Sequence, residues 1–317
     1  MADVSETGQQ RSKSRAWQRV YQAWPGNVIF CCWGRCVTAI PGGPSLCAWT
    51  FILVPCGLYC MFVERLWGDW YPLVPVAAAL MFLVTTTLLL LTCCSDPGVI
   101  PRRKTIIAAG LERELSELLG YSVLGHGQPT GQMDVDGSAM VPEDLRRRGY
   151  KWCRTCQIVR PPRSSHCPDC DQCVLRYDHH CPFVNNCIGQ RNYHFFVGFV
   201  TSVVCLAITV LPGLIWCILT PSTSGGSNNP AQDPGTQQLV DNILVVVVIG
   251  VASLAGLVFL ALVVFLGYHT FLIASGMTTK EHLGKSRPAS IGEEPTLWAS
   301  RGPRLFNPRA FIEVEVP

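Results

Sequence analysis

The chain has 317 residues, of which 49% are hydrophobic and only 15% are charged, and its mean hydropathy is +0.27. Its length allows one large domain or two of ordinary size, and this apolar composition excludes a simple water-soluble globule. The net charge of +3 gives no reason to expect a nucleic-acid partner.

Residues 1–45 are predicted to form a polar, basic, cytosolic segment that ends in a Pro-Gly-Gly-Pro break at 41–44. No secretory signal is expected, because the start of the chain carries four basic residues and no apolar core. Cys31, Cys32 and Cys36 lie close to the predicted membrane boundary. Juxtamembrane cysteines can be S-acylated, and packing of small side chains explains these three equally well.

Four apolar runs are about 18 residues long or longer, which is enough for a helix to cross the ~30 Å hydrocarbon core of a bilayer. The alternative, a large soluble protein, would need four uncharged buried helices of this length. We therefore predict an all-α membrane protein with one helix pair in residues 46–94 and another in 194–274. The four predicted spans are residues 46–63, 71–94, 195–219 and 243–266.

The 25 basic residues predict the orientation of these spans. Five precede the first span, thirteen lie between the second and third, six follow the fourth, and only Arg65 lies between the first two. Lys and Arg collect in cytoplasmic loops of membrane proteins. Both termini, the central segment 95–193 and the tail 275–317 are therefore predicted to be cytosolic.

Seven of the 17 cysteines fall within residues 153–187. On the reducing side of the membrane, this density indicates metal binding or catalysis and not disulfides. Repeated Cys-x2-Cys spacing with nearby histidines is typical of tetrahedral zinc sites, in which the metal supplies folding energy that a small apolar core cannot. We predict a cytosolic zinc domain over about residues 150–193, with ligand pairing left open by the spacing.

Two four-ligand zinc sites need eight ligands, whereas this stretch offers seven cysteines and three histidines. The surplus cysteine and histidine can form a thiol nucleophile and its base, and an adjacent acid can orient the base. Asp178, His179 and Cys181 supply all three types within four residues. The alternative is that all of them are structural ligands or surface residues.

The run Asp-His-His-Cys at 178–181, inside a cysteine-rich domain between spans two and three, resembles the DHHC family of protein S-acyltransferases. Asp-Pro-Gly at 96–98 resembles the family's motif after the second span, and Thr-Thr-Lys-Glu at 278–281 resembles its TTxE motif after the fourth. Residues 160–167 and 185–189 also fit the family's pattern. The resemblance covers the four-helix plan and the zinc domain, but neither the first 45 residues nor residues 111–144.

The resemblance implies two zinc ions with four ligands each. One would be bound by Cys153, Cys156, His166 and Cys173, and the other by Cys167, Cys170, His180 and Cys187.

The resemblance also implies that Cys181 is the acylated nucleophile, that His179 is its base, and that Asp178 orients His179. Thr279 is the candidate for contact with the aspartate, with Thr278 as the alternative. Asn307 resembles an asparagine that anchors the tail.

The implied reaction transfers a long-chain acyl group from acyl-CoA, typically palmitoyl-CoA, to cysteines of other proteins. The acyl chain is expected between the helices, and Phe183, which stands where the family usually has Trp, is expected to contact the chain or CoA. Guanidinium groups bind phosphate well, although a surface or lipid-headgroup contact is the alternative for each arginine here. The candidates for the CoA phosphates are Arg160, Arg163, Arg176 and Arg191.

Two other functional classes explain part of the sequence. A non-catalytic, zinc-stabilised membrane scaffold that recruits proteins to the cytosolic leaflet accounts for the fold and metal, but not for an Asp-His-x-Cys group outside the metal sites. A transporter usually carries ionisable residues within its spans, where this chain has only Asp241 and His269 near their ends.

Within the family, residues 95–102, together with 160–167 and 185–196, look most like the branch that contains the yeast Ras palmitoyltransferase. This likeness implies substrates with membrane-proximal cysteines, such as Ras-type small GTPases, and a small accessory subunit. The expected location is an endomembrane, the Golgi or the endoplasmic reticulum.

Overall fold

The computed structural model describes residues 14–40, 42–62, 73–125, 140–219, 234–284 and 304–316. Within these ranges, four of the helices are long and apolar enough to cross a membrane, as expected of a multi-pass membrane protein. These four are the first, second, sixth and seventh in chain order. The helices are α1 (Gly43–Phe62), α2 (Leu73–Cys94), α3 (Arg103–Ala108), α4 (Glu112–Leu119), α5 (Glu143–Arg147), α6 (Tyr193–Leu219), α7 (Pro234–Ala274) and α8 (Thr279–Leu283).

The described residues also form eleven short strands, so the prediction of an all-α class is right only for the membrane helices. Most strands pair in two-stranded antiparallel units, and β4, β8 and β7 form a three-stranded sheet. The strands are β1 (Ser14–Arg19), β2 (Val28–Cys31), β3 (Cys36–Ala39), β4 (Val99–Ile100), β5 (Lys151–Cys153), β6 (Ile158–Arg160), β7 (Ser165–Cys167), β8 (Gln172–Val174), β9 (His179–Cys181), β10 (Asn186–Ile188) and β11 (Phe311–Val316). Isolated hairpins are at best marginally stable in water, so other interactions must hold them.

Helix α6 is central among the membrane helices, because α1, α2 and α7 all pack against it. Buried apolar side chains from the four helices form one cluster, which includes Ile52 of α1, Leu89 of α2, Leu214 of α6 and Val248 of α7. The opposite faces carry exposed apolar side chains such as Leu257 of α7. This pattern suits helices that pack on one side and face lipid on the other.

Helix α7 has 41 residues and is about 60 Å long at ~1.5 Å per residue, about twice the thickness of a bilayer core. The predicted span, residues 243–266, is only its central part. The helix continues through His269, which is 2% exposed, and ends next to the domain of short strands, where α8 follows it. This length positions α8 beside the strands that carry the Asp-His-His-Cys run.

The part outside the four membrane helices has its own apolar core, which combines segments far apart in the sequence. Ile100, Ile106, Leu115 and Ile158 are fully buried in it. The tail joins the same core, because Phe306 stacks on Trp24 with ring centroids 4.7 Å apart and β11 pairs with β1 along six residues. The first and last described segments therefore pack on the same body as residues 95–193.

The β2–β3 hairpin links this body to the membrane helices. The Ala39 backbone N–H donates to the Asn185 carbonyl at 2.8 Å, and the Asn185 side chain donates back to the Ala39 carbonyl at 2.6 Å. The buried Asn186 amide lies 3.0 Å from the Cys93 carbonyl and 2.9 Å from the Ser95 carbonyl at the end of α2. These contacts fix the β9–β10 hairpin against both the N-terminal hairpin and α2.

Candidate active site

Eight cysteine and histidine side chains gather into two groups of four, and in each group the ligand atoms lie within 4.8 Å of one another. In both groups a Cys-x2-Cys turn supplies two ligands, and a cross-strand pair of the next hairpin supplies the other two. The pairs in register are His166 with Cys173 and His180 with Cys187. The groups are Cys153, Cys156, His166 and Cys173, and Cys167, Cys170, His180 and Cys187.

The turns are shaped for this arrangement. The Cys156 N–H points at the Cys153 sulfur, and the Cys170 N–H at the Cys167 sulfur, both at 3.5 Å. Each second cysteine is followed by a residue with positive φ, Gln157 or Asp171, which turns the chain back sharply.

The donor set of each group fits a metal ion. Three thiols and one imidazole are the ligands that Zn²⁺ takes in closed, tetrahedral structural sites. In each group the histidine Nδ1 faces a sulfur at 3.4 Å, and the cysteines are at most 5% exposed. Outside the first group, Asp171 lies 3.5 Å from His166 Nε2, where a carboxylate can orient the ligand ring. These clusters can therefore bind metal.

His179 and Cys181 lie outside both groups, although they flank His180 in β9. Side chains alternate between the two faces of a strand, so His180 and its two neighbours point in opposite directions. Cys181 is 8% exposed and belongs to the apolar cluster of the membrane helices. The strand thus directs His180 to a metal group and His179 and Cys181 to the membrane side.

Asp178 lies immediately before β9 and is 1% exposed. Its Oδ2 is 2.6 Å from His179 Nδ1 and accepts a hydrogen bond from Thr279 Oγ1 at 2.8 Å. Its Oδ1 accepts from the Thr279 backbone N–H, also at 2.8 Å. Thr279, and not Thr278, is the residue that the structure brings to the aspartate. Thr278 instead caps α8 together with Glu281.

These contacts set the protonation of the pair. Burial by itself would raise the pKa of Asp178, but its hydrogen bonds with His179 and Thr279 outweigh burial and hold the pKa below its ordinary value. Burial by itself would lower the pKa of His179, but hydrogen bonds with Asp178 and Cys181 raise that pKa to about 9. Asp178 therefore stays ionised, and the imidazole readily holds a proton.

Arg163, in the segment between β6 and β7, attaches this part of the chain to helix α8. The guanidinium makes a two-pronged ion pair with Glu281, with N–O distances of 2.7 and 2.9 Å, and also donates to the Gly276 carbonyl at 2.7 Å. Both charged side chains are only 11% exposed. Arg163, a predicted phosphate contact, is thus engaged within the protein.

The other predicted phosphate contacts differ in their surroundings. Arg176 is 6% exposed, and Arg191 forms an ion pair with Asp96 at 3.5 Å. Arg160 lies 3.4 Å from the Ser165 hydroxyl, which the Lys280 ammonium also contacts. Burial, together with repulsion from Arg160, lowers the pKa of Lys280. The contacts predicted from the sequence for the CoA phosphates did not include Lys280, although its position directly after Thr279 could have indicated that it lies near Asp178.

Asn307, the predicted tail anchor, is exposed, and its side chain accepts a hydrogen bond from the Arg309 backbone N–H at 3.0 Å. The buried contacts of the tail come instead from Leu305 and Phe306, which are 3% and 4% exposed.

An apolar cavity of about 450 Å³ opens beside Cys181. It is lined by side chains of α1, α6 and α7, and Cys181 and Phe183 lie at the end that faces the domain of short strands. Phe196 also lines it and contacts the His179 ring edge-on, with centroids 5.2 Å apart. A second imidazole, His269, lies 6.1 Å from the His179 ring and is paired with the Tyr193 hydroxyl at 3.0 Å.

Residues 147–286 match the sequence model of a family described as DHHC palmitoyltransferase. The chain is 34% identical over 325 residues to the palmitoyltransferase ZDHHC14 of Homo sapiens, and the aligned region covers 97% of this chain and 63% of ZDHHC14. It is 35% identical over 281 residues to the palmitoyltransferase ZDHHC9 of Homo sapiens, and the aligned region covers 86% of this chain and 71% of ZDHHC9. The chain therefore spans slightly less than two thirds of the ZDHHC14 sequence that it matches.

Proposed function

Because the chain belongs to the DHHC palmitoyltransferase family, we propose that it is a protein S-palmitoyltransferase that moves a long-chain acyl group from acyl-CoA to protein cysteines through an acyl-Cys181 intermediate. One observation supports this above all others. The Asp178–His179 pair, joined at 2.6 Å, stands beside Cys181, and Cys181 lies at the mouth of an apolar cavity.

The chemistry consists of two thioester exchanges. His179 accepts the proton of the Cys181 thiol, the thiolate attacks the acyl-CoA carbonyl, and the departing CoA sulfur takes that proton back from His179, so that CoA leaves as its thiol and the acyl group stays on Cys181. His179 then accepts the proton of a substrate cysteine, whose thiolate attacks this thioester, and Cys181 leaves as a thiolate that regains the proton from His179. Asp178 keeps the His179 ring in place and stabilises its protonated form. Since the thioesters are of similar energy, the site acts mainly by positioning thiols and excluding water.

In this proposal the two groups of four ligands bind structural zinc ions. When bound, the metal supplies folding energy to hairpins that have little apolar core of their own. Neither ion takes part in the acyl transfer. The residues of this chain that surround them hold β9 in position, and β9 carries His179 and Cys181.

The apolar cavity is the proposed site of the acyl chain, and Phe183 packs on the chain next to the thioester. The proposed phosphate site is the basic group around Ser165, which contains Arg160 and Lys280, because Lys280 directly follows the residue that contacts Asp178. Arg163 is left out of this site, since Glu281 already neutralises it.

The distribution of basic residues supports cytosolic termini and a cytosolic central segment, on the side where acyl-CoA is present. The domain bounds in this proposal are those that the apolar runs and the cysteine spacing give. The Golgi or endoplasmic reticulum location, Ras-type substrates and a small accessory subunit rest on the family resemblance.

The test uses purified full-length protein and a clickable palmitoyl-CoA analogue. We expect hydroxylamine-sensitive labelling of the wild type and none of Cys181→Ser, with the same thermal stability in both. A non-catalytic membrane scaffold would show no labelling in either protein. Equal labelling in both would contradict Cys181 as the nucleophile.

A further inference from the structure

His269 is a buried ionisable side chain that the reaction proposed above does not use. It lies near the end of α7, and its Nδ1 is 3.0 Å from the hydroxyl of Tyr193, the first residue of α6. The side chains are 2% and 0% exposed. Ionisable residues within membrane-spanning helices are rare and usually have a function. His269 is therefore a candidate for a role in the reaction.

The His269 ring packs edge-on against two phenylalanines that line the apolar cavity. Its centroid is 4.5 Å from the centroid of Phe265 and 5.2 Å from that of Phe196. Phe196 also meets the His179 ring edge-on, again with centroids 5.2 Å apart. Phe196 thus contacts both imidazoles and lies where the apolar cavity meets the proposed base.

The hydrogen bond with Tyr193 fixes the orientation of the His269 ring. The other ring nitrogen, Nε2, is buried and has no hydrogen-bond partner among the residues that the structure describes. Without the tyrosine hydroxyl, both ring nitrogens would be buried and unpaired, which is costly unless water reaches them. Loss of this one bond is therefore expected to draw water into the space next to Phe196.

Water at this place would compete with the substrate thiol, because a base that deprotonates a thiol can also deprotonate water. With an acyl group on Cys181, His179 would take a proton from water, and the water oxygen would bond to the acyl carbon. The carbon–sulfur bond would then break, the fatty acid would leave, and the Cys181 sulfur would take up the proton. Transfer to protein therefore requires that water is kept away from the thioester.

We propose that His269 is a positioning residue that protects the acyl-enzyme from water. Held by Tyr193, its ring keeps Phe196 against His179, and the thioester on Cys181 then reacts with a substrate thiol in preference to water. His269 acts through Phe196 and exchanges no proton in the reaction. This role rests on the proposed function, because it exists only if Cys181 carries an acyl group.

The test compares hydrolysis with transfer in the purified full-length protein. Cys181 is loaded from palmitoyl-CoA, and the remaining acyl-CoA is removed. Loss of the acyl group is then followed by mass spectrometry, with and without a short myristoylated peptide that contains one cysteine. We expect Tyr193→Phe and His269→Phe each to raise the ratio of hydrolysis to transfer by roughly three- to ten-fold, the effect of losing one hydrogen bond.

Tyr268→Phe is the matched control, because its hydroxyl pairs with the exposed His282 at 2.9 Å and not with His269. It should keep the wild-type ratio. The double variant Tyr193→Phe/His269→Phe should raise the ratio no further than either single variant, because the two residues share one hydrogen bond.

Three results would overturn the role of His269 and leave the proposed function standing. These are an unchanged ratio in the single variants, an equal rise in Tyr268→Phe, and additive effects in the double variant. Tyr193→Phe removes only a hydroxyl, so the test does not depend on the folding of His269→Phe. A wild type that never carries an acyl group on Cys181 would overturn the proposed function, and this role with it.

Discussion

His179 and His180 are adjacent in the sequence, yet their imidazoles have different surroundings. His179 Nδ1 lies 2.6 Å from the Asp178 carboxylate, whereas His180 Nδ1 lies 3.4 Å from the Cys170 sulfur. The alternation of side chains along β9 is enough to separate the two roles. A one-residue shift of the β9–β10 register would exchange them.

The separation predicts opposite results for two alanine variants. His180→Ala should lose one zinc ion per chain relative to the wild type and lower the melting temperature, because a metal ligand is removed. His179→Ala should keep the wild-type zinc content and slow autoacylation by about 10²- to 10⁴-fold, the usual effect of losing a general base. Elemental analysis and an acylation time course on the same samples measure both. Equal metal loss in the two variants would contradict the assignment.

Thr279 offers a finer test at the same scale. Thr279→Val removes the hydroxyl that donates to Asp178 at 2.8 Å but keeps the backbone donor and the shape of the side chain. A hydrogen bond to a charged group contributes about 1.5–3 kcal/mol, so kcat/KM should fall about 10- to 100-fold. Thr279→Ser, which retains a hydroxyl, should recover most of the activity. If valine and serine behave alike, the hydroxyl has no part in positioning Asp178.

At the scale of elements, α8 connects the end of α7 to the zinc-ligand hairpins. Among its attachments are the Arg163–Glu281 ion pair and the Thr279–Asp178 hydrogen bonds. The first holds the helix in place, and the second uses that position to orient the Asp178–His179 pair. Arg163 and Lys280 are therefore expected to affect catalysis in different ways, although both are basic residues near the site.

Kinetics with varied acyl-CoA concentration distinguish these two effects. Arg163→Gln should lower kcat by on the order of 100-fold with little change in KM, because α8 no longer holds Thr279 against Asp178. Lys280→Gln should raise KM for acyl-CoA about five-fold, since a partly exposed ion pair contributes up to about 1 kcal/mol.

Glu281→Gln is the matched control for the first variant, because it breaks the same ion pair from the other side. The double variant Arg163→Gln/Glu281→Gln should be no slower than either single variant, as expected for two partners of one interaction. A rise in KM for Arg163→Gln, with kcat unchanged, would restore Arg163 as a phosphate contact.

The elements also show which features the sequence could predict. The membrane helices follow from long uncharged runs, and the predicted and observed ends of α2 and α6 differ by at most two residues. The zinc-domain strands have only three residues each, with Cys and His in place of an apolar alternation, so no periodic signal marks them. The pattern also could not show that Arg163 is paired with Glu281, because that contact joins residues 118 positions apart.

On the scale of the whole molecule, the membrane helices and the domain that carries the Cys/His groups meet at Cys181. The cavity lies among α1, α6 and α7, and its lining extends along α6 from Phe196 to Leu211. At ~1.5 Å per residue this distance is about 22 Å. An acyl chain attached to Cys181 would therefore run into the bilayer part of the protein, while CoA remains in water.

The last prediction follows from this geometry. Ala255 of α7 lines the cavity, ten residues before Phe265, and so lies about 15 Å from the end of the cavity beside Cys181. Ala255→Phe should shorten the cavity and exclude the end of a palmitoyl chain. Each methylene that stays buried contributes about 0.8 kcal/mol, so excluding two should shift the preference from palmitoyl-CoA to myristoyl-CoA by roughly 15-fold in relative kcat/KM. Leu254→Phe is the matched control, because Leu254 faces outward and is 52% exposed. Competition between the two acyl-CoAs, read by mass spectrometry of Cys181, measures the ratio. An unchanged ratio in Ala255→Phe would show that the acyl chain does not reach this depth between the helices.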